Sequence, residues 1–167
     1  MSPTRNPLVA FTLIEISIAV GIFAVTIVAI LALFPVALRS AEQSRTESIV
    51  TQIARTVLTD LRSGAFEKAR IATSAVPDFL EYNLAQAAST PVYLGYDEGG
   101  KVIGELAAAS YAEPNPAVVY VVKLESELVT TTVPLLSRVT VTVESPGAAP
   151  ATARRKYPLT TLMGDTR

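Results

Sequence analysis

Residues 16–38 contain no charged side chain, and this uncharged run constrains the chain more than any other feature. As a helix it would be about 34 Å long at about 1.5 Å per residue. That length crosses a hydrocarbon layer about 30 Å thick with some tilt. The chain has 167 residues, so what remains suffices for one modest domain and not for two. Apolar residues make up 50% of the chain, but much of that share sits in this early block and does not belong to a globular core.

Composition removes several kinds of chemistry. Cysteine and histidine are both absent. That excludes a disulfide, a thiolate nucleophile and a zinc–thiolate site, along with the commonest general base and metal ligand. The domain must therefore hold by packing and hydrogen bonds alone, without the covalent staples small extracytoplasmic domains often use. The net charge of -1 gives no electrostatic footprint for nucleic acid, and none is expected as a direct partner. The longest basic run, Arg154-Arg155-Lys156, reads as a solvated loop.

Two ordinary readings apply to the N-terminus. A cleaved secretory signal would use Arg5 as its charged region, but the apolar run is too long and Glu15 interrupts its start. A plain signal anchor fits the length. Arg5 before the run and Arg39 after it leave charge alone a thin guide to orientation. Glu15 is the informative residue, because a carboxylate at the start of a membrane helix is costly in lipid. It can meet the free N–H groups of its own helix, pair with a cation on a neighbouring chain, or sit at headgroup depth. Pattern alone does not separate these three.

The segment Ala10-Phe11-Thr12-Leu13-Ile14-Glu15, followed by the apolar run, resembles the processing motif of type IV prepilins and of type II secretion pseudopilins. The family's usual residue before the cut is glycine, and this chain has Ala10. The resemblance implies that a prepilin peptidase removes residues 1–10 and N-methylates Phe11. It also implies that Glu15 pairs with the terminal amine of an adjacent subunit during assembly. Each of those two charges suffers alone in lipid and compensates the other. The implied location is the inner (cytoplasmic) membrane, N-terminus cytoplasmic and domain periplasmic, and then a pilus or pseudopilus. The implied partners are other pilin or pseudopilin subunits, an inner-membrane assembly platform and the bilayer itself.

Behind the span the pattern turns amphipathic. Ile49, Ile53, Val57 and Leu61 recur at every fourth residue, and Val50, Ala54 and Leu58 widen the stripe. No strong breaker separates residues 38 and 62, which predicts one helix over about residues 11–62, ended by Gly64. Residues 11–38 form its membrane or assembly half, with Pro35 the expected point of bending. Residues 39–63 form its amphipathic half, and residues 64–167 form the soluble domain. Between 65 and 84 the pattern is ambiguous, with a turn or short helix start at Asp78.

From about residue 90 the period falls to two. Strands are predicted around residues 92–96, 101–106 and 117–124, with a further short strand at 128–133. Residues 138–144 give the cleanest alternation, Val139, Val141 and Val143 facing one way and Arg138, Thr140, Thr142 and Glu144 the other. Loops are expected at 108–116 and 146–153. A last strand at 157–163 belongs on an edge because of Pro158. The fold class is therefore α+β, a long N-terminal helix packed against a small, mostly antiparallel C-terminal sheet, which is also the pilin-like arrangement.

An enzyme is disfavoured. The carboxylate pairs Asp97/Glu98 and Glu125/Glu127 lack any histidine or cysteine partner, and Asp97-Glu98-Gly99-Gly100 reads as a turn. Calcium, which some pseudopilins bind, needs about six to eight oxygen ligands, so Asp97 and Glu98 are only a weak metal candidate. No cofactor is expected. The sequence expectation is a minor pilin or pseudopilin. The alternative is a single-pass, membrane-anchored binding domain that does not polymerise.

Overall fold

The computed structural model describes residues 12–73, 78–86, 89–130, 132 and 135–165. The expected leader (1–10) and the processing pair Ala10 and Phe11 lie outside them. Two compact units divide the chain, Met1–Arg45 and Thr46–Arg167. One α-helix, α1 (Leu13–Ser63), contributes to both. Its bounds agree with the sequence expectation to within two residues, and helix continues on both sides of Pro35.

In the first unit every large apolar side chain of α1 is exposed, from 38% at Ile27 to 85% at Leu13. The two hydroxyls within residues 16–38 are satisfied by their own helix. Ser17 Oγ donates to the Leu13 carbonyl at 2.9 Å and Thr26 Oγ1 to the Ile22 carbonyl at 2.8 Å.

In the second unit the amphipathic stripe behaves as its spacing predicts. Val50, Ile53, Ala54, Val57, Leu58 and Leu61 are buried, each three or four residues from another of the set on one face. The layer they pack on is an antiparallel sheet of five strands: β3 (Val92–Tyr96), β4 (Val102–Leu106), β5 (Tyr120–Thr130), β6 (Leu136–Ser145) and β7 (Arg155–Gly164). Their spatial order is β4-β3-β5-β6-β7. Leu94 of β3, Val122 and Leu124 of β5, and Val139, Val141 and Val143 of β6 are fully buried against the helix stripe. A separate hairpin of β1 (Ala69–Ala72) and β2 (Phe79–Tyr82) adds Ala69, Ile71 and Tyr82 to the same core. Fully burying side chains of this size contributes roughly 1.5–3 kcal/mol each before conformational entropy is counted.

The β3–β4 turn depends on Gly100, whose φ is 78°. Asp97 Oδ1 accepts from the backbone N–H of Gly99 and of Lys101, both at 2.9 Å, which closes the turn. Pro158 sits opposite Thr142 on the edge strand β7. A proline in a paired strand must occupy a slot whose N–H would point away from its neighbour, so Pro158 removes a donor from the open edge.

Several expectations need correction. Asp78 leads into β2 and starts no helix. The loop at 108–116 contains one helical turn, α2 (Ala108–Tyr111). The strand expected at 117–124 begins later, at Tyr120, and runs on to Thr130 without the break expected near residue 126. Nine ladder partners on β6 from Val121 to Thr130 hold it as one piece, with a register slip only after Leu128. Residues 131 and 133 of the expected strand at 128–133 lie outside the described residues. Arg154 is not solvated but buried at 5%, and Arg155 and Lys156 open β7. Glu144, on the face of its strand opposite the valines, is 1% exposed. Both are buried by loops that fold over the outer side of the sheet, and alternation within a strand carries no information about such a cover.

Candidate membrane and assembly segment

The N-terminal part of α1 is the candidate functional segment. Among the described residues α1 is the one helix long and apolar enough to cross a membrane, with a mean hydropathy of 2.8 over its most apolar window. None of that window is buried, which separates it from the core helix of a soluble protein. A helix apolar on all sides needs an apolar surrounding on all sides. This supports a membrane-associated chain with a single N-terminal anchor.

At the start of the helix, Thr12 and Glu15 close a reciprocal pair of contacts. Glu15 Oε2 accepts from the Thr12 backbone N–H and from Thr12 Oγ1, each at 3.1 Å. Thr12 Oγ1 in turn accepts the Glu15 N–H at 3.3 Å. This is a capping box: the side chain three residues into the helix reaches back to the cap residue, and the cap side chain satisfies an otherwise free helix donor. The carboxylate also lies at the positive end of the helix dipole. Of the three roles open to Glu15 from sequence, the first is therefore the one realised within the isolated chain. Thr12 was not singled out by sequence reasoning. The Thr-x-x-Glu spacing ahead of an apolar run was the signal that would have found it.

Pro35 lies inside α1 between exposed Phe34 and Val36. It offers no N–H to the carbonyl four residues earlier, so the helix is one hydrogen bond short there.

The acidic pairs do not converge on a site. Asp97 is engaged with its own turn, as described above. Glu125 pairs with Lys123 Nζ at 2.9 Å, and that contact raises the lysine pKa above its usual value. Glu127 pairs with Arg138 Nη1 at 3.2 Å. Among the described residues no group of three or more Asp and Glu side chains is placed to hold a metal ion. Asp97 and Glu98 therefore gain no further ligand from this class beyond the two weighed in the sequence.

Comparison with known proteins returns no match to a family model, to a curated protein or to a solved structure.

Proposed function

We propose that this chain is a structural, non-enzymatic subunit of a type IV pilus or a type II secretion pseudopilus, in the role of a minor pilin or pseudopilin. One observation carries the reading: the Phe-Thr-Leu-Ile-Glu pattern at residues 11–15 leads directly into a helix that is apolar and exposed on every side. Such a helix needs lipid around it before assembly and neighbouring helices after assembly. In this reading prepilin peptidase cuts between Ala10 and Phe11 in the inner membrane, and an assembly platform passes the mature chain to other pilin subunits. The soluble domain faces the periplasm. The modest domain, without cysteine for a C-terminal disulfide loop, fits an accessory subunit that initiates, caps or primes a filament better than a bulk subunit.

The test is the mature N-terminus. Mass spectrometry of the chain from cells that hold the peptidase is expected to find N-methyl-Phe11 as the first residue. Recovery of only the uncut chain would overturn the proposal.

A second reading, a solitary membrane-anchored domain, is favoured by the capping box, because Glu15 already has partners within its own chain. The two readings separate on Glu15→Ala. If Glu15 serves assembly, the variant inserts into the membrane normally but is recovered in sheared filaments at least tenfold less than the unaltered chain. Equal recovery would remove the assembly role from Glu15.

A further inference from the structure

The outer face of the sheet, opposite α1, carries a cover made of two loops, residues 107–118 and 146–154. Alanine, glycine and proline dominate both loops. Among their residues only Val118, Gly147 and Arg154 are buried, and Val118 stands apart from the main core. Apolar burial therefore holds this cover weakly, and polar contacts must do the rest.

Those contacts converge on one carboxylate. Glu144 projects from β6 on the outer face. Its Oε1 accepts from the Tyr111 hydroxyl at 2.8 Å, with Lys156 Nζ at 3.6 Å, and its Oε2 lies 3.7 Å from Arg154 Nη1. Arg154 ties the two loops together. Its Nε donates to the Ala149 carbonyl at 2.8 Å, and its Nη2 to the carbonyls of Glu113 at 2.9 Å and Gly147 at 3.3 Å. The backbone adds Asn115 N–H to the Gly147 carbonyl at 3.1 Å and Gly147 N–H to the Val119 carbonyl at 2.8 Å. Gly147 is required here, since a Cβ would collide with the Val118 carbonyl oxygen. The Tyr111 ring stacks on Tyr93 of β3 at 4.2 Å, with the Arg154 guanidinium 5.3 Å from its centroid. Burial first, and the hydrogen bond to Glu144 second, raise the Tyr111 pKa above its usual value, so the phenol stays protonated as a donor.

We propose that residues 107–118 and 146–154 form a single flap that opens from the sheet as a unit, with Glu144 as its latch. Val119 stays on the sheet, packed on the main core with its N–H donated to the Tyr96 carbonyl at 2.9 Å. The two loops cannot lift separately, because Arg154 and the Asn115–Gly147 backbone bond join them. They cannot lift together while Glu144 holds both Tyr111 and Arg154. Breaking one side of a buried charge pair leaves the other charge uncompensated, which makes the latch cooperative. Opening uncovers the Tyr93 ring and the buried Val121 on the outer face, and leaves the core between sheet and helix untouched.

Native-state hydrogen exchange on the full chain in detergent micelles tests this. The Gly147 amide, which bonds the flap to the Val119 carbonyl on the sheet, is expected to be protected and to exchange at least tenfold faster than the ladder amides of Val122 and Val141. Glu144→Gln is expected to speed Gly147 by at least a further tenfold, with less than a twofold change at Val122 and Val141. Tyr111→Phe, which removes only a hydroxyl and lies on the other loop, is expected to speed the same amide by a smaller factor, because the two loops open together. If Glu144→Gln does not fold, Tyr111→Phe decides alone. The proposal fails if the Gly147 amide is unprotected, if it exchanges only at the rate of the ladder amides, if it responds to Glu144→Gln and not to Tyr111→Phe, or if the deciding variant leaves it unchanged or speeds loop and ladder amides equally.

Discussion

Two glutamates show how position decides the meaning of a carboxylate. Glu15 lies at the exposed start of a helix, and its charge is met by two donors from Thr12. Glu144 lies under a loop cover, and its charge is met by a phenol and two cations. The Thr12–Glu15 pair makes a direct prediction. Replacing a threonine cap by alanine costs about 0.5–2 kcal/mol of helix stability. Thr12→Ala is therefore expected to speed hydrogen exchange of the Glu15 amide about fivefold in micelles, a factor equal to about 1 kcal/mol, while amides beyond residue 20 stay unchanged. Thr12→Ser keeps the oxygen and should leave the rate near its original value. An unchanged rate in the alanine variant would mean that the capping box does not hold the helix end.

At the scale of elements, α1 presents two faces with opposite tolerance. Leu61 is 1% exposed and packs in the shared core, so Leu61→Ala removes buried methyl groups and leaves a cavity. A loss of about 2–5 kcal/mol is expected, read as a lower midpoint in denaturant at unchanged slope. Thr56, on the exposed face, has its hydroxyl returned to the Gln52 carbonyl at 3.0 Å, and Thr56→Ala should change stability by less than about 0.5 kcal/mol. The same contrast explains what could be read in advance. The helix stripe, the valines of β6 and the edge position of β7 were legible because each follows from a local period or from a missing proline N–H. The burial of Glu144 and Arg154 was not legible. Both depend on where two aperiodic, Ala- and Pro-rich loops lie in space, and alternation within β6 points Glu144 outward either way. The length of β5 was misjudged for a related reason. Its far half alternates polar Glu125 and Glu127 with Ser126 and Leu128, a weak apolar signal, and it is held as a strand by its ladder to β6. The candidate site was legible where chemistry is unusual for its surroundings, at Glu15. Its partner Thr12 was missed because a threonine is unremarkable anywhere except three residues before that glutamate.

For the whole molecule, the decisive fact is that the two units draw on different sources of stability. Every buried residue of the main core lies between Val50 and Met163, inside Thr46–Arg167. Among the described residues, the stretch before Arg45 contributes none, and its exposed apolar surface needs apolar surroundings. A fragment of residues 46–167 should then fold by itself. Thr46 is an acceptable cap for the shortened helix, and Glu47 would sit in its first turn, where a negative charge is favourable. The fragment is expected to be a soluble monomer by sedimentation, with one cooperative thermal transition. Leu61→Ala should cost it the same within about 0.5 kcal/mol as it costs the full chain in micelles. The full chain, in contrast, should float with lipid vesicles while the fragment does not. A fragment that aggregates, or that melts without cooperativity, would show that the sheet needs the apolar half of α1 to fold, and the division of labour between the two units would be wrong.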